Sequence, residues 1–197
     1  MRLLLRRSNA LQGNRRCNFL MPMGILRISF ELDTIIKKQR QLLALFFYPY
    51  RYLSLIHISL GARERAYAPY SKFQVGAALL TGTGRVYQGC NIECASYTPT
   101  NCAERTAFFK AVSEGERDFV AIAIAGGPAG APVKRACPPC GVCRQVMREF
   151  CDPSSFRVIL ASGPDNWVSY RLEELLPLGF GPENLNRGKG GAGCAHV

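Results

Sequence analysis

A chain of 197 residues with 48% hydrophobic content is long enough to bury a real core and suits one domain of ordinary size. Its net charge of +11 points to a phosphate-binding surface only until it is apportioned. Residues 1–60 carry ten Lys/Arg against two acids, whereas residues 61–185 carry thirteen against twelve, so the body lacks the clustered positive face that a nucleic-acid partner needs.

Nine cysteines are present, and the N-terminal M-R-L-L-L-R-R offers an apolar run of only three residues, too short for a secretory segment. Thiols or metal ligands in a reducing, cytoplasmic compartment are therefore expected rather than a disulfide framework. Residues 1–57 are read as a basic and apolar leader, disordered or non-native. The six arginines and no acid of residues 1–30 also resemble the composition of an organelle transit peptide. Residues 41–60 are the most hydrophobic window, but a membrane span would hold Pro49 and Arg51 near its centre, where Arg costs roughly 2.5–3.5 kcal/mol. A half-buried segment is expected there, with His57 packed among apolar neighbours, and no membrane partner is expected.

The texture changes from Gly61, and a domain is assigned to residues 58–185. Phe73–Thr81 reads as a strand and T-G-T-G as the turn to its antiparallel partner, Arg85–Glu93. Thr100 is placed to cap a helix from Cys102 to Glu114 whose apolar face is Ala107, Phe108, Ala111 and Val112, with Gly115 ending it. Phe119–Ala125 reads as a strand buried on both faces, followed by a Gly/Pro-rich loop over Gly126–Pro132. A second helix is expected after P-P-C, running to about Phe150 and burying Val142, Val146 and Phe150. R-V-I-L-A and W-V-S-Y-R-L read as two further strands, and E-E-L-L-P as a short helix. The order β-β-α-β-α-β-β predicts a three-layer α/β domain, and the Gly-rich residues 186–197 read as a flexible tail.

Cys140 and Cys143 form C-G-V-C at one helix start, and Cys102 lies at the start of the other. C-x-x-C alone is shared by redox and structural zinc sites, but C-A-E with P-C-x-x-C fits the zinc deaminase signature, in which the Glu is not a ligand. Three thiolates give zinc a formal charge of −1 and make it a weak Lewis acid. Two helix N-termini, and Arg105 donating to the sulfurs, would draw that charge off. The competing reading is a closed structural zinc with Cys94, Cys137 or Cys151 as fourth ligand, which has no position for water and no use for Glu104. A disulfide oxidoreductase would have no use for Cys102.

With these residues in view, the chain from about Ala62 to Leu185 resembles the small, homotetrameric, zinc-dependent cytidine deaminases. The motifs A-Y-A-P-Y-S-K-F-Q-V-G-A-A-L, N-I-E, C-A-E-R-T-A, P-P-C-G-V-C-R-Q and F-G-P-E-N-L occur in the family's order. The resemblance implies a cytidine deaminase-like α-β-α fold with a mixed five-stranded sheet and a homotetrameric assembly. It implies hydrolysis of cytidine and deoxycytidine to the uridines and ammonia, as in pyrimidine salvage. Cys102, Cys140 and Cys143 would hold zinc, Glu104 would shuttle protons to N3 and the leaving ammonia, and hydroxide would add to C4. Asn91 and Glu93 would bond the ribose hydroxyls, Phe73 would pack on the pyrimidine, the Ala103 backbone would read the base edge and Tyr97 would line the pocket. Phe180 would reach into a neighbouring subunit's site. Cys94 stands where the family usually has Asn, Gln74 replaces a common Pro, and residues 1–57 match nothing in the family. Deamination of another nucleoside-like heterocycle is the nearest alternative, whereas the near-neutral body and Asn91/Glu93 disfavour a polynucleotide.

Overall fold

The structure is a computed structural model, and it describes residues 50–185. The leader up to residue 49 and the tail from residue 186 lie outside the described residues. Residues 50–63 form helix α1, which crosses the boundary drawn at residue 58. Strands β1 (Phe73–Thr81) and β2 (Val86–Cys90) follow, then helix α2 (Ala103–Ser113), β3 (Phe119–Pro128), α3 (Gly141–Phe150), β4 (Arg157–Ala161) and β5 (Trp167–Arg171). Two single-turn helices, α4 (Leu172–Leu175) and α5 (Pro182–Leu185), end the described chain, and α5 has no counterpart among the sequence expectations.

The sheet order is β2-β1-β3-β4-β5, with β3 and β4 parallel and the other pairs antiparallel. Its central strands alternate side chains between two buried faces. Ala77, Leu79, Ile122, Ile124, Val158 and Leu160 pack with Phe108 of α2 and Met147 of α3. The intervening Ala78, Leu80, Ala121, Ala123 and Ile159 pack with Leu55 and Ile56 of α1. Because every second residue faces each side, β3 had to be apolar throughout, and a three-layer arrangement results. No helix of the described residues is long and apolar enough to cross a membrane.

Several local expectations change. The Gly/Pro-rich run is strand up to Pro128, because Phe73 pairs with Pro128 and Gln74 with Gly127. Helix α3 does not bury Val142, which is 58% exposed; its inward stripe is Cys143 and Met147. The stripe rotates because Cys143 must face α2, and Met147 follows it one turn later. His57 is exposed rather than packed, on the outer side of α1.

Candidate active site

Helix α2 forms from strong helix formers, with Glu104 in the first turn and Lys110 in the last, each matching the helix dipole. Its N-cap is Cys102, not Thr100, and no side chain caps it. The Thr100 hydroxyl instead accepts from the Cys94 amide at 3.1 Å, tying together the loop that feeds the helix. Thr106 Oγ1 donates to the Cys90 carbonyl at 3.0 Å, and Gly89 lets β2 lie against the helix backbone. A Cβ at Gly89 would sit 2.2 Å from the Ala103 carbonyl oxygen, so the buried Ala103 is held at the contact of strand and helix.

Helix α3 starts differently. Pro138 and Pro139 keep the preceding chain extended. Cys140 is the N-cap, and its own Sγ accepts from the Cys143 amide at 3.4 Å. The two helix starts meet, bringing together cysteines 38 positions apart. Cys102 Sγ lies 3.9 Å from Cys140 Sγ, which is 3.4 Å from Cys143 Sγ. All three sulfurs lie within 4.8 Å of one another.

That spacing fits zinc. Tetrahedral coordination at a Zn–S distance near 2.3 Å separates sulfurs by about 3.8 Å. Among the described residues no fourth His, Cys, Asp or Glu joins the cluster, so Cys94, Cys137 and Cys151 do not close it. The donor set leaves a tetrahedral position open, which a purely structural site would fill.

The electrostatics divide the work. Hydrogen bonding with Cys143, then with the Arg105 guanidinium at 3.8 Å and with Cys140, holds the Cys102 thiol down at about 5. The Cys143 thiol is pushed up, because its proton is shared with Cys102 and it is buried. Arg105 Nη2 also donates to the Thr100 carbonyl at 2.7 Å, which aims the guanidinium at the sulfur. Glu104 is 4% exposed, and burial pushes its carboxyl up to about 7. A carboxyl poised there gives and takes protons near neutral pH.

A cavity of about 640 Å³ is walled by Phe73, Gly126, Gly127, Pro128, Ala131 and Cys137 among others. In this wall burial, then the charges of Glu104 and Cys102, push the Cys137 thiol up to about 11. Apart from Phe73, the residues of this wall are not among those expected to meet a substrate, since a Gly/Pro-rich loop carries no chemical signature. Phe73, expected to pack on the pyrimidine, is 40% exposed and lines the cavity.

The other expected residues are placed as follows. Asn91 is nearly buried; its Oδ1 accepts from the Val75 amide at 2.8 Å and its Nδ2 donates to the Phe73 carbonyl at 2.9 Å. It therefore fixes the start of β1. Glu93 accepts from the Tyr70 and Ser71 amides, at 2.9 and 3.2 Å, and from the Ser71 hydroxyl. These bonds hold its carboxyl below the usual range, the Ser71 hydroxyl most strongly. Tyr97 has a φ of 56° and is 71% exposed, with its ring centroid 6.0 Å from that of Tyr70. Phe180 is 57% exposed, and its carbonyl accepts from Gln145 Nε2 at 2.7 Å. Arg148 of α3 pairs with Glu183 nearby, so α3 grips the segment that carries Phe180.

Comparison with known proteins agrees with this geometry. A family model described as "Cytidine and deoxycytidylate deaminase zinc-binding region" matches residues 50–158. The chain is 54% identical over 132 residues to a cytidine deaminase of Halalkalibacterium halodurans, covering 67% of this chain and 96% of that protein. It is 35% identical over 113 residues to a blasticidin-S deaminase of Bacillus cereus, covering 56% of this chain and 79% of that one. The crystal structure of a cytidine deaminase from Burkholderia pseudomallei superposes with a TM-score of 0.58 at 46% identity, over 64% of this chain and 97% of that chain. The open three-thiolate cluster, the buried glutamate beside it and the extent of these matches lead to one conclusion: the chain belongs to the cytidine and deoxycytidylate deaminase zinc-binding family.

Proposed function

We propose that this protein hydrolyses cytidine and deoxycytidine to uridine and deoxyuridine with release of ammonia. The observation that carries the reading is the buried Glu104 carboxyl two residues from a metal-competent trio of thiols with an open position. Zinc held by Cys102, Cys140 and Cys143 would supply Lewis acidity, lowering the pKa of a water toward roughly 7. Glu104 accepts a proton from the attacking water and delivers it to N3 of the pyrimidine. It then takes the proton of the hydroxyl newly added at C4 to the exocyclic nitrogen, so that the C4–N bond breaks, ammonia leaves and the oxygen stays as the C4 carbonyl. The dry setting that raises its pKa keeps both transfers within reach at neutral pH.

The nucleoside lies in the cavity, with Phe73 against the base and the Ala103 backbone at its edge. In this reading the ribose approaches Asn91 and Glu93, whose bonds to the chain already orient them. Tyr97 closes the rim. The exposed Phe180, on a segment held by α3, reaches a neighbouring subunit's site in a homotetramer. A cytoplasmic setting is consistent with free thiols at all seven described cysteines. The catalytic unit in this reading begins with α1, so deleting residues 1–45 leaves turnover intact; a truncated chain that cannot fold would return the leader to the domain.

The direct test follows the loss of cytidine absorbance with zinc-loaded protein beside Glu104→Gln. Turnover by the parent, and a loss of about 10²–10⁴-fold in the variant with zinc retained, is the expected outcome. No turnover at millimolar cytidine overturns the reading. Blasticidin S, the substrate named for one relative, is the second compound to offer.

A further inference from the structure

Arg63 ends helix α1 and is 4% exposed, the one arginine among the described buried residues. A buried guanidinium remains charged and must have its donors satisfied. Here the acceptors are mostly backbone. Nε donates to the Gln74 carbonyl at 3.3 Å, and Nη2 donates to the carbonyls of Pro128 and, at 2.9 Å, of Ala131. Among the described residues its only carboxylate partner is the neighbouring Glu64, 3.3 Å from Nη1 and with a side chain 67% exposed. So planar a fork, spread over three carbonyls, binds shape rather than charge.

Two of those carbonyls, of Pro128 and Ala131, belong to cavity-lining residues, and the third, of Gln74, follows the lining Phe73. Phe73, Pro128 and Ala131 line the cavity, and Gln74 is paired with Gly127, another wall residue. The guanidinium lies against Gly127, whose ideal Cβ position is 3.6 Å from Nη2. The helix end that carries it cannot drift, because the α1 backbone is pressed on β1: a Cβ at Gly76 would sit 2.3 Å from the Arg63 amide nitrogen. Beyond the Phe73–Pro128 pair the two chains part, and among the described contacts only the Ala129 amide to the Lys72 carbonyl (2.7 Å) and the Arg63 fork hold the loop to β1.

We propose that Arg63 is a positioning residue for the reaction: its buried guanidinium ties the start of β1 to the loop after β3 and so sets the separation of Phe73 from the opposite wall. It touches neither the metal ligands nor Glu104 and acts through the two walls it joins. The inference rests on the reading of this cavity as the nucleoside site.

The test compares Arg63→Lys with the parent in the zinc-loaded full chain. Lysine keeps the charge but loses the fork, so it supports the fold without reaching three carbonyls. The expected result is a KM for cytidine raised roughly 10- to 100-fold with kcat nearly unchanged, since the walls are misplaced and the proton transfers are not. Amide exchange is expected to rise in a peptide covering 126–132 and stay unchanged in one covering β4. Unchanged KM and loop exchange would overturn the proposal. So would insolubility, or a fall in melting temperature with exchange rising over the whole sheet, because Arg63 would then serve only the core. If the parent itself fails to turn over cytidine, the deaminase reading falls, and the loop-exchange comparison still decides whether Arg63 holds the wall.

Discussion

The two helix starts that build the site solve the same problem in opposite ways. Helix α3 caps itself: Pro138 and Pro139 enforce the extended approach, and Cys140, one of the three thiols that could hold a metal, is also the acceptor for the Cys143 amide. Helix α2 has no such economy. Cys102 leaves the first-turn amides without a side-chain cap, and its approach is fastened from elsewhere, by Thr100 on Cys94, Thr106 on Cys90, and Gly89 against Ala103. Even the arginines differ. Arg105 of α2 reaches a sulfur, whereas Arg144 of α3 donates to the carbonyls of Pro139 and Leu175, both at 2.8 Å. One mouth is capped by its own side chain; the other has no side-chain cap and is fastened through the sheet and the loop before it.

The sharpest way to break that comparison is to replace each N-cap thiol. Cys102→Ser and Cys140→Ser both remove a soft ligand, so zinc content and turnover should collapse in each. Serine remains a good N-cap, and the Cys140→Ser variant should keep its helix content by circular dichroism. A loss of helix there would show that the metal, not the cap, holds α3.

The arginines give the next largest effect. Arg105→Gln should weaken zinc affinity about 10- to 100-fold, read by competition with a chromophoric chelator. Arg144→Gln should lower the melting temperature and leave zinc affinity close to the parent's. Equal losses of affinity in both variants would erase the distinction between the two mouths.

The smallest effect concerns the fastening of α2. Glu93 ties the residues leading to α2 back to Tyr70 and Ser71, and its folded carboxyl is held below the usual range. A group depressed in this way contributes stability that is present above its unfolded pKa and is lost as pH falls through its folded pKa. Glu93→Gln should therefore melt slightly below the parent at pH 7, with the gap closing on acidification. A gap that widens in acid would assign the anchoring to other contacts.

Much of this site can be read directly from the chain, because its chemistry is local. C-A-E-R and P-P-C-G-V-C each place their functional atoms within a single helical turn, where spacing alone dictates which side chains share a face. The strands are legible for the same reason: Phe119–Ala125 is apolar at every position, as burial between two helical layers demands. The Cys102 cap is hidden in the sequence because Thr100 is the better N-cap by type, yet its hydroxyl goes to the Cys94 amide instead. Val142 is misassigned because helical period defines a stripe but not which way it turns.

What only the tertiary structure decided is the meeting of parts distant in sequence. It set the approach of the two helix starts, the burial that raises Glu104, and the wall of Phe73, Gly127 and Ala131 held by Arg63. The acceptors of that arginine are backbone carbonyls, which every residue possesses. No side-chain pattern could announce them until the chain had folded.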